Sequence, residues 1–88
     1  MLAYTLVVAG PTAEDATSWL LVNVDTEALV LQESWPSAFL GHWIFRLEGR
    51  LDPYDQSAFE GSLNYEMNDQ GSDLVWWSSR HISKREAA

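Results

Sequence analysis

A period of two in residues 43–51 constrains this chain more than any other feature. In Trp43-Ile44-Phe45-Arg46-Leu47-Glu48-Gly49-Arg50-Leu51 the odd positions are apolar or glycine, and from Arg46 onward the even ones are charged. Successive strand side chains point to opposite faces. The spacing therefore predicts a strand with Trp43, Phe45, Leu47 and Leu51 on a dry face and Arg46, Glu48 and Arg50 on a wet one. Residues 58–68 repeat the alternation, with Phe59, Leu63, Tyr65 and Met67 opposite Glu60, Ser62, Asn64 and Glu66. Between the two runs lies Asp52-Pro53-Tyr54-Asp55-Gln56, where Pro53 lacks a ladder donor and the aspartates favour a turn. A third run, residues 73–82, follows a loop in which Gly71 can take the positive φ of a hairpin turn. These three segments read as an antiparallel meander.

Upstream, residues 2–9 predict a short strand, apolar on both faces and so central, which Gly10-Pro11 ends. Thr12-Ala13-Glu14-Asp15 has the look of a helix start, with Thr12 as N-cap and acids in the first turn. Residues 17–24, Thr-Ser-Trp-Leu-Leu-Val-Asn-Val, instead favour a strand and lack a polar helical face. The reading adopted is one helical turn or a loop at 11–16 and a strand at 17–24, with a helix over 12–22 as the alternative. Residues 28–33 form the returning strand of that second hairpin. Pro36 breaks it, and residues 37–40 suggest a single helical turn plugging one end of the sheet. The expected fold is mainly β, a small antiparallel sheet of about six strands curling toward a barrel. The alternative is α+β, with the 12–22 helix packed on the sheet. Residues 1–82 make one domain and residues 83–88 a polar tail expected to fray.

Composition sharpens this. An 88-residue chain buries only about 60–65% of its unfolded surface, so its core must be efficient. Five Trp, three Tyr and three Phe supply large apolar area in few side chains. The absence of cysteine excludes disulfides, thiolate metal sites and a cysteine nucleophile. No run approaches the roughly 20 apolar residues of a membrane span, and no basic region precedes the first apolar run. A soluble, unprocessed, cytoplasmic protein is expected.

Charge is the strongest global signal, at 13 acids against 5 bases and a formal net charge of −8. Residues 1–45 carry Glu14, Asp15, Asp25, Glu27 and Glu33 with no Lys or Arg. Between Arg50 and Arg80 lie Asp52, Asp55, Glu60, Glu66, Asp69 and Asp73, again with no base among them. Such a surface repels nucleic acid and anionic membranes and attracts basic proteins.

Catalytic signatures are missing. There is no glycine-rich phosphate loop, no G-x-S-x-G, no H-E-x-x-H, and no Lys before Lys84. The two histidines, His42 and His81, joined by Asp73 or Glu48, are a weak metal site and read better as ordinary hydrogen-bonding groups. A carboxylate pair for glycoside hydrolysis needs a cleft that a domain this small has little room for. No catalytic residue, cofactor or metal is assigned, and an enzyme is the least supported class.

Two features point to binding. Carboxylates at alternate positions of one strand are about 6.6 Å apart, close to the phosphate spacing of a nucleic acid strand. Glu60 and Glu66, flanked by Asp52, Asp55, Asp69 and Asp73, predict an anionic band around one hairpin, partly neutralised by Arg46 and Arg50 across the strands. In Trp76-Trp77, adjacent indoles must face opposite ways, leaving one as an interface anchor or stacking platform. In size, acidity and lack of cysteine the chain resembles phage-encoded inhibitors of nucleic-acid-handling machinery, anti-CRISPR and other nucleic-acid-mimic proteins among them, and some toxin-neutralising immunity proteins. The resemblance is one of type and implies a bacterial host cytoplasm. The leading expectation is a non-enzymatic inhibitor. It would occupy the basic, nucleic-acid-binding surface of a partner protein through Asp52, Asp55, Glu60, Glu66, Asp69 and Asp73, with Trp76 or Trp77 as anchor. It would contact neither nucleic acid nor membrane. The alternatives are a carbohydrate or small-ligand module using exposed Trp and Tyr, and a self-associating subunit that pairs with its own copy as a homodimer.

Overall fold

The computed structural model describes residues 1–39, 41–69 and 71–82. Its elements run β1 (Leu2–Ala9), α1 (Ala13–Asn23), β2 (Leu29–Pro36), β3 (His42–Gly49), α2 (Pro53–Asn68) and β4 (Leu74–His81). The four strands form one open sheet in the order β2-β3-β1-β4, every neighbouring pair antiparallel. Each helix carries the chain over one intervening strand, the split βαβ arrangement of a βαββαβ chain. The protein is thus a small α+β fold.

The alternation in β1 fixes the layers. Leu2, Tyr4, Leu6 and Val8 are buried and pack with Ala16 and Leu20 of α1 and Leu63 of α2, so both helices cover this one face. Phe45 and Leu47 of β3 extend the core on the same side, with Trp43 and Trp77 partly buried against it. The opposite face of the sheet carries no layer among the described residues.

Three expectations require correction. First, residues 58–68 are not a strand but most of α2. Asp52 caps this helix, its carboxylate accepting from Asp55 N at 2.7 Å, and Pro53 occupies the first turn, where its missing N–H costs nothing. The residues turned inward are Gln56, Phe59, Glu60 and Leu63, a helical stripe with half-buried Glu66 at its margin, whereas Tyr65 and Met67 are exposed. Ala58, Gly61, Ser62, Asn64 and Asn68 are also poor strand formers. The predicted meander therefore does not exist.

Second, residues 17–24 are not a strand. The 12–22 helix weighed as the alternative is the one present, with Thr12 Oγ1 accepting from Asp15 N at 3.2 Å. Ala16, Leu20 and Val24 recur every fourth residue toward the sheet, while Leu21 and Val22 lie exposed on the outer face. Those two apolar residues are why no polar helical face is visible in the sequence.

Third, with four strands and no closure, the sheet is neither six-stranded nor a barrel. The described part of the 37–40 segment, residues 37–39, forms bends rather than a helical turn, with Ser37 Oγ accepting from Phe39 N; Leu40 lies outside the described residues. So does the 83–88 tail. Gly41, at φ 79°, reverses the chain into β3.

Both edge strands contain a bulge. In β2 the register steps from Leu31 opposite Leu47 to Glu33 opposite Arg46, leaving Gln32 extra. In β4 it steps from Leu74 opposite Val8 to Trp76 opposite Val7, leaving Val75 extra. An extra residue reverses the facing of everything beyond it. The two bulges therefore turn Trp35 and Trp76 onto the open face and Trp77 onto the helix face.

Candidate functional site

The structure distributes the nominated residues over two opposite surfaces. Asp52, Asp55, Glu60, Glu66 and Asp69 all belong to α2 or its caps, and Asp73 precedes β4. Asp52 and Asp69 mark the two ends of the helix. Asp55 and Glu66 share one flank, since eleven residues bring a helix back to within about 20° of the same direction. Glu60 behaves differently. It turns inward and accepts from the Tyr4 hydroxyl at 2.8 Å. Burial first, then this bond and the carboxylate charge, push the Tyr4 phenol well above its usual range. The evenly spaced strand of carboxylates expected from the sequence is thus replaced by a helix rimmed with acids, without a phosphate-like repeat.

Between those acids runs a stripe that the sequence reading did not single out. Tyr54, Ala58, Gly61 and Tyr65, spaced by four, three and four residues, share the outward face of α2. The tyrosines are 81% and 73% exposed and stand about 16 Å apart along the axis, with only small side chains between them. The signal was available in the helical spacing of Tyr54 and Tyr65, but it is invisible once the segment is read as a strand. Asp25, after α1, and Asp55 line one concavity with Leu51 and Phe59, so the loop acids join those of α2.

Trp77 does not reach this surface as an anchor. Its ring packs 6.2 Å from that of Tyr4, and its Nε1 donates to Asn64 Oδ1 at 3.1 Å, stitching β4 to α2. Trp76 is 49% exposed, but on the open sheet face, away from the acids of α2. Arg46 is not paired across strands with Glu60 or Glu66 either. It lies between Glu33 and Thr5 on the open face, while Arg50 sits in the loop ahead of Asp52.

His42 pairs with Ala9 and His81 with Leu2, at opposite ends of the sheet. Seven strand residues separate those rows, about 23 Å, so the imidazoles cannot share an ion. Among the described residues no group of three or more metal-binding side chains converges. His42 Nδ1 is buried without a hydrogen-bond partner, and its ring meets that of Phe39 edge-on at 6.4 Å. No helix in the described residues is long and apolar enough to cross a membrane.

A wide, shallow concavity of about 730 Å³ lies beside α1, lined by Asp15, Ser18, Trp19, Asn23 and Asp73 among others. It joins an aromatic wall to several polar groups. Comparison with protein-family models, curated proteins and solved structures found no match to this chain.

Proposed function

We propose that the protein is a non-enzymatic binding protein whose acidic helix layer occupies a basic, nucleic-acid-binding surface of a partner protein. The observation carrying this reading is the segregation of charge. Glu14, Asp15, Asp25, Glu27, Asp52, Asp55, Glu60, Glu66 and Asp69 lie on the helices, their caps and the α1–β2 loop. Arg46 and Arg80 lie on the open face of the sheet, where Glu33 and Glu48 balance them, so the excess of negative charge is on the helix side. A field of one sign over one side of a small molecule steers a basic partner to that side and speeds association. Tyr54 and Tyr65 then supply what carboxylates lack, rigid amphipathic area that slows dissociation once water is expelled. The inhibitor class follows from this chemistry, because a surface that outcompetes phosphate for the same guanidinium and ammonium groups blocks nucleic acid from them.

The test is competition. A partner captured from host extract should bind nucleic acid, lose it on addition of this chain, and release the chain as salt rises. Asp55→Lys with Glu66→Lys should weaken capture severalfold at low salt. Affinity that is flat from low to high salt would remove the electrostatic basis of the proposal.

A second reading rests on the concavity beside Trp19, whose volume of about 730 Å³ matches that of ligand pockets. An indole wall with Asp15, Asn23 and Asp73 suits a sugar ring. Oligosaccharide should then shift Trp fluorescence in wild type and not in Trp19→Phe.

A further inference from the structure

The open face of the sheet carries a second message, independent of the acidic helix layer. Reading the register across the four strands gives rows of side chains that share this face. One row is Trp35, Ile44, Val7 and Trp76; the next is Glu33, Arg46, Thr5 and Ser78; the third is Val30, Glu48, Ala3 and Arg80. The first row is wholly apolar. Its end members, 39% and 49% exposed, stand about 14 Å apart, three strand spacings. Both reach this face only because Gln32 and Val75 interrupt their strands. Two separate register breaks, one on each edge, thus aim a tryptophan at the same row, and bulges are features that re-aim side chains.

We infer that this face is covered by a second copy of the chain, sheet against sheet, about a two-fold axis parallel to the strands. The argument is self-complementarity. The helix side sets its acids around its exposed apolar residues, so laying it on a second copy of itself would bring like charges together. The open face holds Glu33 and Glu48 with Arg46 and Arg80, two of each sign. The stated axis lays β2 over the β4 of the second copy. Trp35 then meets Trp76 of that copy, Ile44 meets its Val7, and Arg80 comes down beside its Glu33 and Glu48. An isologous contact of this kind closes at two subunits. Edge-to-edge pairing is disfavoured by the same bulges and by Pro36 at the end of β2. Four strands of eight residues make a face of about 19 by 26 Å, or about 500 Å² per copy. Two such faces bury about 1,000 Å², near the floor for a specific interface. The dimer should therefore be reversible, and it would present two acidic helix layers on its outer sides.

Sedimentation equilibrium from about 1 μM to about 1 mM decides it, the span over which weak specific pairing declares itself. The mass should rise toward twice the 10.0 kDa of one chain. Trp76→Glu should weaken dimerisation by about 30-fold or more, as for an interface hot spot. Leu21→Glu, which removes an exposed apolar residue from α1, should leave it unchanged. If Trp76→Glu does not fold, the charge swaps decide. Glu48→Arg and Arg80→Glu should each weaken the dimer, and an equimolar mixture should restore it as a heterodimer. A mass fixed at that of one chain, a dimer indifferent to Trp76→Glu in folded protein, a dimer lost through Leu21→Glu, or indifference to both charge swaps overturns the inference.

Discussion

Replacing Tyr4 by Phe isolates one interaction at the centre of the fold. Tyr4 is fully buried in β1, its ring edge-on to Phe59 at 5.0 Å, and its hydroxyl reaches Glu60 Oε2 at 2.8 Å. Phe keeps the ring and removes only that bond. A hydrogen bond to a charged group contributes about 1.5–3 kcal/mol, less where water can reach the acceptor. Glu60 is half-buried, so a loss of about 1–2 kcal/mol is expected. At roughly 4–8 °C per kcal/mol for a domain of this size, Tm should fall by about 5–15 °C. The pH dependence gives the argument a second handle. The unfolded phenol ionises near 10, while the folded one is held higher by burial and by the Glu60 carboxylate. Below pH 10 both states are protonated and the contribution is intact. Above it the unfolded state binds fewer protons, so wild-type stability falls by up to about 1.4 kcal/mol per pH unit. Tyr4→Phe lacks this decline. Urea unfolding followed by far-UV circular dichroism at pH 7, 9, 10.5 and 11 should therefore show the gap between the two proteins closing above pH 10. A gap below about 0.3 kcal/mol at pH 7, or one that stays constant across the series, would refute the account.

Other positions make equally direct tests. At Gly49 an added Cβ would overlap the Ala28 carbonyl oxygen, a backbone atom just ahead of buried Leu29. Gly49→Ala should thus cost more than the usual core change, about 3 kcal/mol or more by thermal melting. Asp52→Ala removes the cap of α2, which accepts from Asp55 N, and should cost about 1 kcal/mol; Asp52→Asn should recover most of it. Asn64→Ala leaves the half-buried Trp77 indole without its acceptor and should lower stability by about 1 kcal/mol, read in the same melts.

The parts of the fold that were legible are those where one physical rule acts alone. Residues 43–49 alternate cleanly, residues 2–9 are apolar on both faces as a central strand should be, and both lie in strands, as do residues 74–81 of the third run. Residues 58–68 alternate too, but Phe59 and Leu63 are also one helical turn apart, and the period of two was only the coincidence of Tyr65 and Met67 facing solvent. The deciding signal was local, with Asp52 and Pro53 at the N-cap and first turn and Asp55 just inside. It was read as a turn because the same residues favour both. In α1 the misleading term was burial, since Val22 is 83% exposed and sequence alone cannot say that an apolar residue faces out. At the candidate site, the sign and clustering of the acids were visible, and so was the necessity that Trp76 and Trp77 face opposite ways. Which indole points outward was not visible, because the bulge at Val75 sets it. The pairing of Glu60 with Tyr4 was equally hidden, because it joins residues 56 apart in sequence.

That dependence on the bulges leads to a prediction contrary to ordinary experience with strands. Deleting one residue from a paired strand normally exchanges its two faces. Deleting Thr5 from β1 would do this, driving part of the Leu2, Tyr4, Leu6 and Val8 set out of the core, and the protein should not fold. Gln32 is different because it has no place of its own in the ladder. With it removed, Leu31 still meets Leu47, Glu33 meets Arg46, Ser34 meets Phe45 and Trp35 meets Ile44, in the pairing already present. The shortened strand should therefore keep every facing, trade an extra twist for a regular ladder, and change stability by no more than about 1 kcal/mol. Circular dichroism melts of the two deletions compare them directly. Loss of folding on removing Gln32 would mean that the sheet needs the register break itself and not only the pairing on either side of it. Retained folding would show that the facing of Trp35 belongs to the pairing of residues 33–36 with β3 and not to the extra residue, and so would separate the architecture of the sheet from the bulge it accommodates.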